Sequence, residues 1–217
     1  MRRSTTAEWM GGTMCVALAI VLIVRVVATP GEKELMGLRA TARWSFVLFW
    51  LASTGRALTT LFGSRFQPLA QRGRDLGLSF ASAHLVHLGL VTWVLYFSAR
   101  PFPRSSFIFF GIGALWVYLL ALLSIRRLTA MLNPRVWRIL RIVGVEYISL
   151  AFLSDFFINP FQSGIRNLLA YLPFLTLAIA APLLRFAAVV KRLRVGRGSQ
   201  PRDRRDLLHS GTNQVMN

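Results

Sequence analysis

Six long apolar runs, separated by arginine-rich or turn-forming residues, set the pattern of the chain. They run from about Trp9 to Ala28, Arg43 to Gly63, Leu76 to Ala99, Ser105 to Ile125, Trp137 to Ile158 and Ile165 to Val190. A hydrocarbon core of roughly 30 Å takes about 20 residues of helix to cross, and each run meets that length. The pattern predicts an all-α integral membrane bundle of about six transmembrane helices. Residues 1–190 form one transmembrane domain, and no stretch is left over for a separate soluble one. Thr29-Pro30-Gly31 closes the first run with turn chemistry. Pro173 and Pro182 fall inside the last run, where neighbouring groups can satisfy the freed backbone. Arg2, Arg3 and the apolar stretch from Cys15 to Val24 also fit a cleaved signal peptide. The length of that stretch, and Arg25 following it without a small-residue cleavage pattern, favour a retained helix.

Charge adds orientation. The chain has 217 residues, 54% of them apolar, and a net charge of +18. On a soluble protein such a charge would point to nucleic acid. Here the basic residues flank apolar spans, as the positive-inside rule and anionic headgroups require, so no nucleic-acid partner is expected. With the N-terminus inside, sixteen Lys and Arg fall on the cytoplasmic side, seven of them between Lys191 and Arg205, against six outside. The expectation is an N-in, C-in, multi-pass protein of the bacterial cytoplasmic (inner) membrane. Residues 191–217 are polar and rich in Arg, Gly and Ser. They read as a basic, disordered cytoplasmic tail near the headgroups, which leaves His209 far from the bundle. A single cysteine, Cys15, excludes an internal disulfide.

Ionisable residues inside a span are costly and usually face a partner or a cavity. Counting from the inner span ends at 1.5 Å per residue puts Arg56, Glu146 and His84 at similar depth, roughly 10–14 Å from the cytoplasmic boundary. An Arg56–Glu146 ion pair is therefore expected, structural rather than catalytic. Arg25 and Asp155, near the outer ends of their spans, are expected to pair likewise. Arg141 and Arg185 are expected to snorkel to the inner headgroups. His84 and His87 are three residues apart and share a helix face. Either is a candidate haem ligand. Both cannot serve one iron, because axial ligands approach opposite faces of the porphyrin. The plainer alternative is hydrogen bonding within the bundle.

The stretches TARWSFVLFWLASTGRALTTLFG and RGRDLGLSFASAHLVHLGLVTW, with LLSIRRLTAMLNPRVWRILRIVGVEY further on, resemble the ferric-reductase-like transmembrane domain superfamily. Within it they look closest to the haem-binding membrane subunit of the bacterial methionine sulfoxide reductase system. The resemblance covers about Thr41 to Val190. Aligned on Gly77 and Leu78, it implies a haem-iron ligand at His87, with His84 beside it. It departs from the family in the fifth span. There the family's histidine positions fall on Arg141 and on Ser154, next to Asp155, and neither residue is a usual axial ligand.

Two functions follow from the resemblance. One is a transmembrane electron carrier with a b-type haem on His87, the electron-transfer subunit of an oxidoreductase system. It would take electrons from a quinol or flavoprotein donor and pass them to a redox partner protein, since the chain has no flavin or nicotinamide domain. A second haem ligand would then be a weak one, or would come from a symmetric copy in a homo-oligomer. The other is a haem-free scaffold or accessory protein that has lost the cofactor. A small-solute transporter using the intramembrane charges ranks third, because paired broken helices are not evident.

Overall fold

The computed structural model describes residues 5–29, 33–97, 103–124, 128, 133–161 and 165–198, except the side chains of 158–161, 165–168 and 196–198. Among them the chain is helical, without a strand. Helix α1 spans Thr6–Val27, α2 Lys33–Phe62, α3 Gln67–Gln71, α4 Gly73–Phe97, α5 Arg104–Leu123, α6 Pro134–Phe161 and α7 Ile165–Gly198. A 3₁₀ turn, Ser64–Phe66, joins α2 to α3, entered through Gly63 at φ 90°.

Five segments are long and apolar enough to cross a membrane: α1, α2, α4, α5 and Leu169–Val195 of α7. Their outward faces carry large apolar side chains that water would not tolerate in such number, such as Val26 at 84% exposure and Phe186 at 70%. That inverted surface belongs against lipid tails. The chain is a multi-pass membrane protein whose helices contact the bilayer. Helix α6 is also long enough, but Arg141, Glu146 and Asp155 interrupt its apolar stretch.

Helix ends follow local chemistry. Thr5 and Glu8 close a capping box on α1, each side chain bonding the other's backbone N–H, as expected of a Thr-x-x-Glu sequence. Helix α2 begins ten residues before the apolar run, taking Lys33, Glu34 and Arg39 into its first turns. At 30 residues it is about 45 Å long, enough to reach from one headgroup layer to the other. Helix α7 stays continuous through Pro173 and Pro182 and on to Gly198, so the expected tail is still helical over its first residues. His209 lies outside the described residues.

Helix α2 is central. It packs against α1, α4 and α7, while α6 packs against α7 and α5, and α5 closes onto α4. Small residues allow the closest approaches. Ala17 on α1 and Ala83 on α4 are fully buried. The Thr13 hydroxyl reaches the Ser79 carbonyl at 3.2 Å and the Ser82 hydroxyl at 3.3 Å. The Trp50 indole N–H donates to the Leu177 carbonyl at 3.0 Å. That carbonyl adjoins the one at Ala178, which Pro182 deprives of its helical donor. A tryptophan on α2 thus caps the loosened turn of α7.

Candidate functional site

The polar interior is built on one face of each of four helices. On α4, His84 and His87 point the same way, their rings stacked with centroids 5.4 Å apart and planes 28° apart. The Thr41 hydroxyl on α2 lies 3.0 Å from His87 Nδ1. That hydroxyl also reaches the Gly37 carbonyl at 2.8 Å and the Leu38 carbonyl at 3.2 Å. With its proton given to Gly37, its oxygen accepts from a His87 Nδ1–H, and the lone pair stays on Nε2. This is the arrangement by which an outer hydrogen bond orients a ligating histidine. His84 has no such partner: its Nδ1 is buried without a hydrogen bond, and its ring lies 5.4 Å from Phe80 and 6.5 Å from Phe152.

Facing the histidines is a cluster of aromatic rings. Phe46 and Phe49 from α2 meet Phe152 from α6 at 5.2 and 5.6 Å. Phe80 from α4 lies 5.3 Å from Phe49. Phe156 from α6 stands edge-on to Phe46 at 4.8 Å. Phe46 and Phe156 are each 1% exposed and Phe49 and Phe80 each 4%. Such tilted and edge-to-face contacts are the favoured geometry for aromatic pairs. Among the described residues only α4 brings histidine to this centre. A bis-histidine haem held within one copy of the chain does not fit these residues, and phenylalanine rings, Phe80 and Phe152, lie against His84.

The charged residues do not pair as depth alone predicts. Glu146 is held by Arg185 rather than Arg56. Arg185 Nε donates to Glu146 Oε1 at 2.9 Å, and Nη2 donates to Oε2 at 2.8 Å and to Ser149 Oγ at 2.9 Å. The reason is the length of α7. Because it runs to Gly198, Arg185 sits thirteen residues, roughly 20 Å, from its end. Glu146 is twelve residues, about 18 Å, from the start of α6. The two are therefore level on neighbouring helices, and Arg185 forms a planar, bidentate pair instead of snorkelling.

Arg25 does not pair with Asp155 either. Its guanidinium lies over the Trp93 ring, 5.9 Å from the centroid, since α1 runs beside α4 and not beside α6. Asp155 lies near Tyr171 on α7, over whose ring Arg39 and Arg43 also lie. Arg43 stacks over Tyr171 at 4.7 Å and Phe174 at 5.2 Å.

Thr41, Arg185, Ser149 and Tyr171 are the site residues that the apolar pattern does not single out. Threonine inside a helix looks like filler, and Arg185 looks shallow when the helix is ended at Val190. A run of KRLRV directly after an apolar span is nevertheless compatible with continued helix, and that is the signal that would have found it.

No family model, no curated protein and no solved structure matches this chain.

Proposed function

We propose that the chain is a haem-free, six-span membrane scaffold or accessory subunit, derived from a ferric-reductase-like transmembrane domain that has lost its cofactor. The observation that carries this reading is the packing of Phe46 and Phe49 of α2 and Phe152 and Phe156 of α6 with Phe80 of α4, the helix that bears His84 and His87. The positions where the resemblance implies further histidines, Arg141 and Ser154, support it too. Helix α6 is the sixth span. The Arg185 pair covers Glu146, so the cost of carrying that charge into lipid is reduced. Lysine and arginine bias places both ends in the cytoplasm, and the membrane is the bacterial inner one. The partner of such a scaffold is another membrane protein or a second copy of the chain.

A b-type haem electron carrier on His87 is the second reading. One observation favours it: Thr41 holds His87 through Nδ1, which leaves Nε2 as the nitrogen an iron would meet. The deciding experiment is a reduced-minus-oxidised visible spectrum of the purified protein, expressed with haem precursor. The scaffold reading expects no b-type signal from folded, monodisperse protein. A stoichiometric signal that His87→Ala abolishes and His84→Ala only weakens would replace it with the electron carrier.

A further inference from the structure

The end of the bundle that carries the 63–72 connection holds two arginines that the ion-pair network does not use. On α2, Phe46, Phe49, Ser53 and Arg56 recur at intervals of three and four residues and share one face. On α6, Phe156, Phe152, Ile148, Val145 and Arg141 do the same. The two faces that meet through phenylalanine in the middle of the bundle therefore end in arginine at this end. On these converging faces the charge of Arg56 bears on Arg141. Both are exposed, and neither has a carboxylate or a hydrogen-bond acceptor among the described residues. Three of the cations at this end are engaged elsewhere. Arg192 Nη2 donates to Thr60 Oγ1 at 2.7 Å, Lys191 Nζ to the Leu61 carbonyl at 3.2 Å, and Arg74 Nε to the Ser124 carbonyl at 3.0 Å. Glu146 is taken by Arg185.

Depth decides what can satisfy the pair. Arg56 is six residues, about 9 Å, from the end of α2. Arg141 is seven residues, roughly 10 Å, from the start of α6. Headgroups add about 5–7 Å to each side of the hydrocarbon core. Both arginines thus root just inside the hydrocarbon, within a side chain's reach of the phosphate layer. Two guanidiniums at that level, each a fork of N–H donors, suit phosphate oxygens in charge and hydrogen bonding.

We propose that Arg56 and Arg141 together bind the phosphate of an anionic phospholipid from the adjacent leaflet, whose headgroup closes this end of the bundle. The assignment does not depend on haem, nor on which side of the membrane this end faces.

Native mass spectrometry of the full chain tests it, after equilibration with micelles holding equal amounts of phosphatidylglycerol and phosphatidylcholine. Wild type should retain phosphatidylglycerol in preference. The R56Q/R141Q double variant should lose about tenfold of that retention. The R65Q/R135Q control removes the same charge from this end, in the connection and in the first turn of α6 off the Arg141 face, and should retain the lipid as wild type does. Equal loss in the control, or full retention in the double variant, would overturn the proposal. Displacement of the lipid by low-millimolar inorganic phosphate would also overturn it, pointing to a soluble phosphate ligand instead. If the double variant is not recovered folded, the single variants R56Q and R141Q carry the test, each with a severalfold loss expected and no change decisive against.

Discussion

Thr41 shows how much one hydroxyl can decide. It is fully buried, bonds a carbonyl of its own helix at 2.8 Å, and holds the His87 ring through Nδ1 at 3.0 Å. Thr41→Val keeps the shape and leaves the His87 Nδ1 proton without a partner. A buried donor so stranded costs about 1–3 kcal/mol, and the loss should appear as a lower unfolding midpoint in detergent. His87→Ala combined with Thr41→Val should cost less than the two single changes added together, since the second removes a partner already gone. The Glu146–Arg185 pair makes a parallel case. Reversing Glu146 to Arg should lower folded yield, and Arg185→Glu in the same chain should restore part of it. Arg56→Glu should give no such rescue, and a rescue there would place Glu146 against α2. Depth along a span was legible from residue counting, which is why Arg56 and Glu146 looked like partners. Azimuth was not. Glu146 lies five residues beyond Arg141, about 140° further around a helix of 3.6 residues per turn, and so faces away from the stripe that meets α2.

At the scale of helices, the sequence carries existence better than extent. All six apolar runs correspond to helices, because a span of that length in lipid has few alternatives. The errors lie at the ends, where polar residues continue a helix that hydropathy alone would stop. Lys33 to Arg39 at the head of α2 and Lys191 to Gly198 at the foot of α7 are both of this kind. Arginine, lysine and glutamate are good helix formers, and outside the hydrocarbon nothing opposes them. Packing between helices is harder to read, since it depends on which glycines face a neighbour. An added Cβ on Gly144 would stand 2.8 Å from Trp116 Cε3 and from Leu120 Cδ1 on α5. Gly111, on α5, has nothing within 4 Å. Gly144→Ala should therefore push α6 from α5 and destabilise by about 1–3 kcal/mol. Gly111→Ala should be neutral or mildly stabilising, through the better helix propensity of alanine. Thermal unfolding of the two variants in the same detergent separates them, and equal effects would mean that α5 and α6 do not pack as described.

For the whole molecule, direction is constrained more tightly than orientation. Contacts between α1 and α4 stay in step along their length. The Thr6 hydroxyl bonds Asp75 at 2.8 Å and the Arg72 guanidinium covers Trp9 at 5.3 Å at one end. Thr13 meets Ser79 and Ser82 further along, and Arg25 covers Trp93 near the other end. The two helices are therefore parallel, and the start of α1 shares a side of the membrane with the 63–72 connection. The start of α5 belongs to the opposite side, because α4 crosses between them. Which side is cytoplasmic rests on charge alone, and the proposed N-in orientation puts the 63–72 side there. Cysteine labelling in a Cys15→Ser background tests both statements. Ser64→Cys should be modified by a membrane-impermeant maleimide only after the cells are opened, and Ser105→Cys from outside in intact cells. Labelling of both sites from one side would contradict an odd number of crossings between them. Labelling with the sides exchanged would keep the parallel pair and overturn the orientation, moving the Arg56–Arg141 site to the outer leaflet.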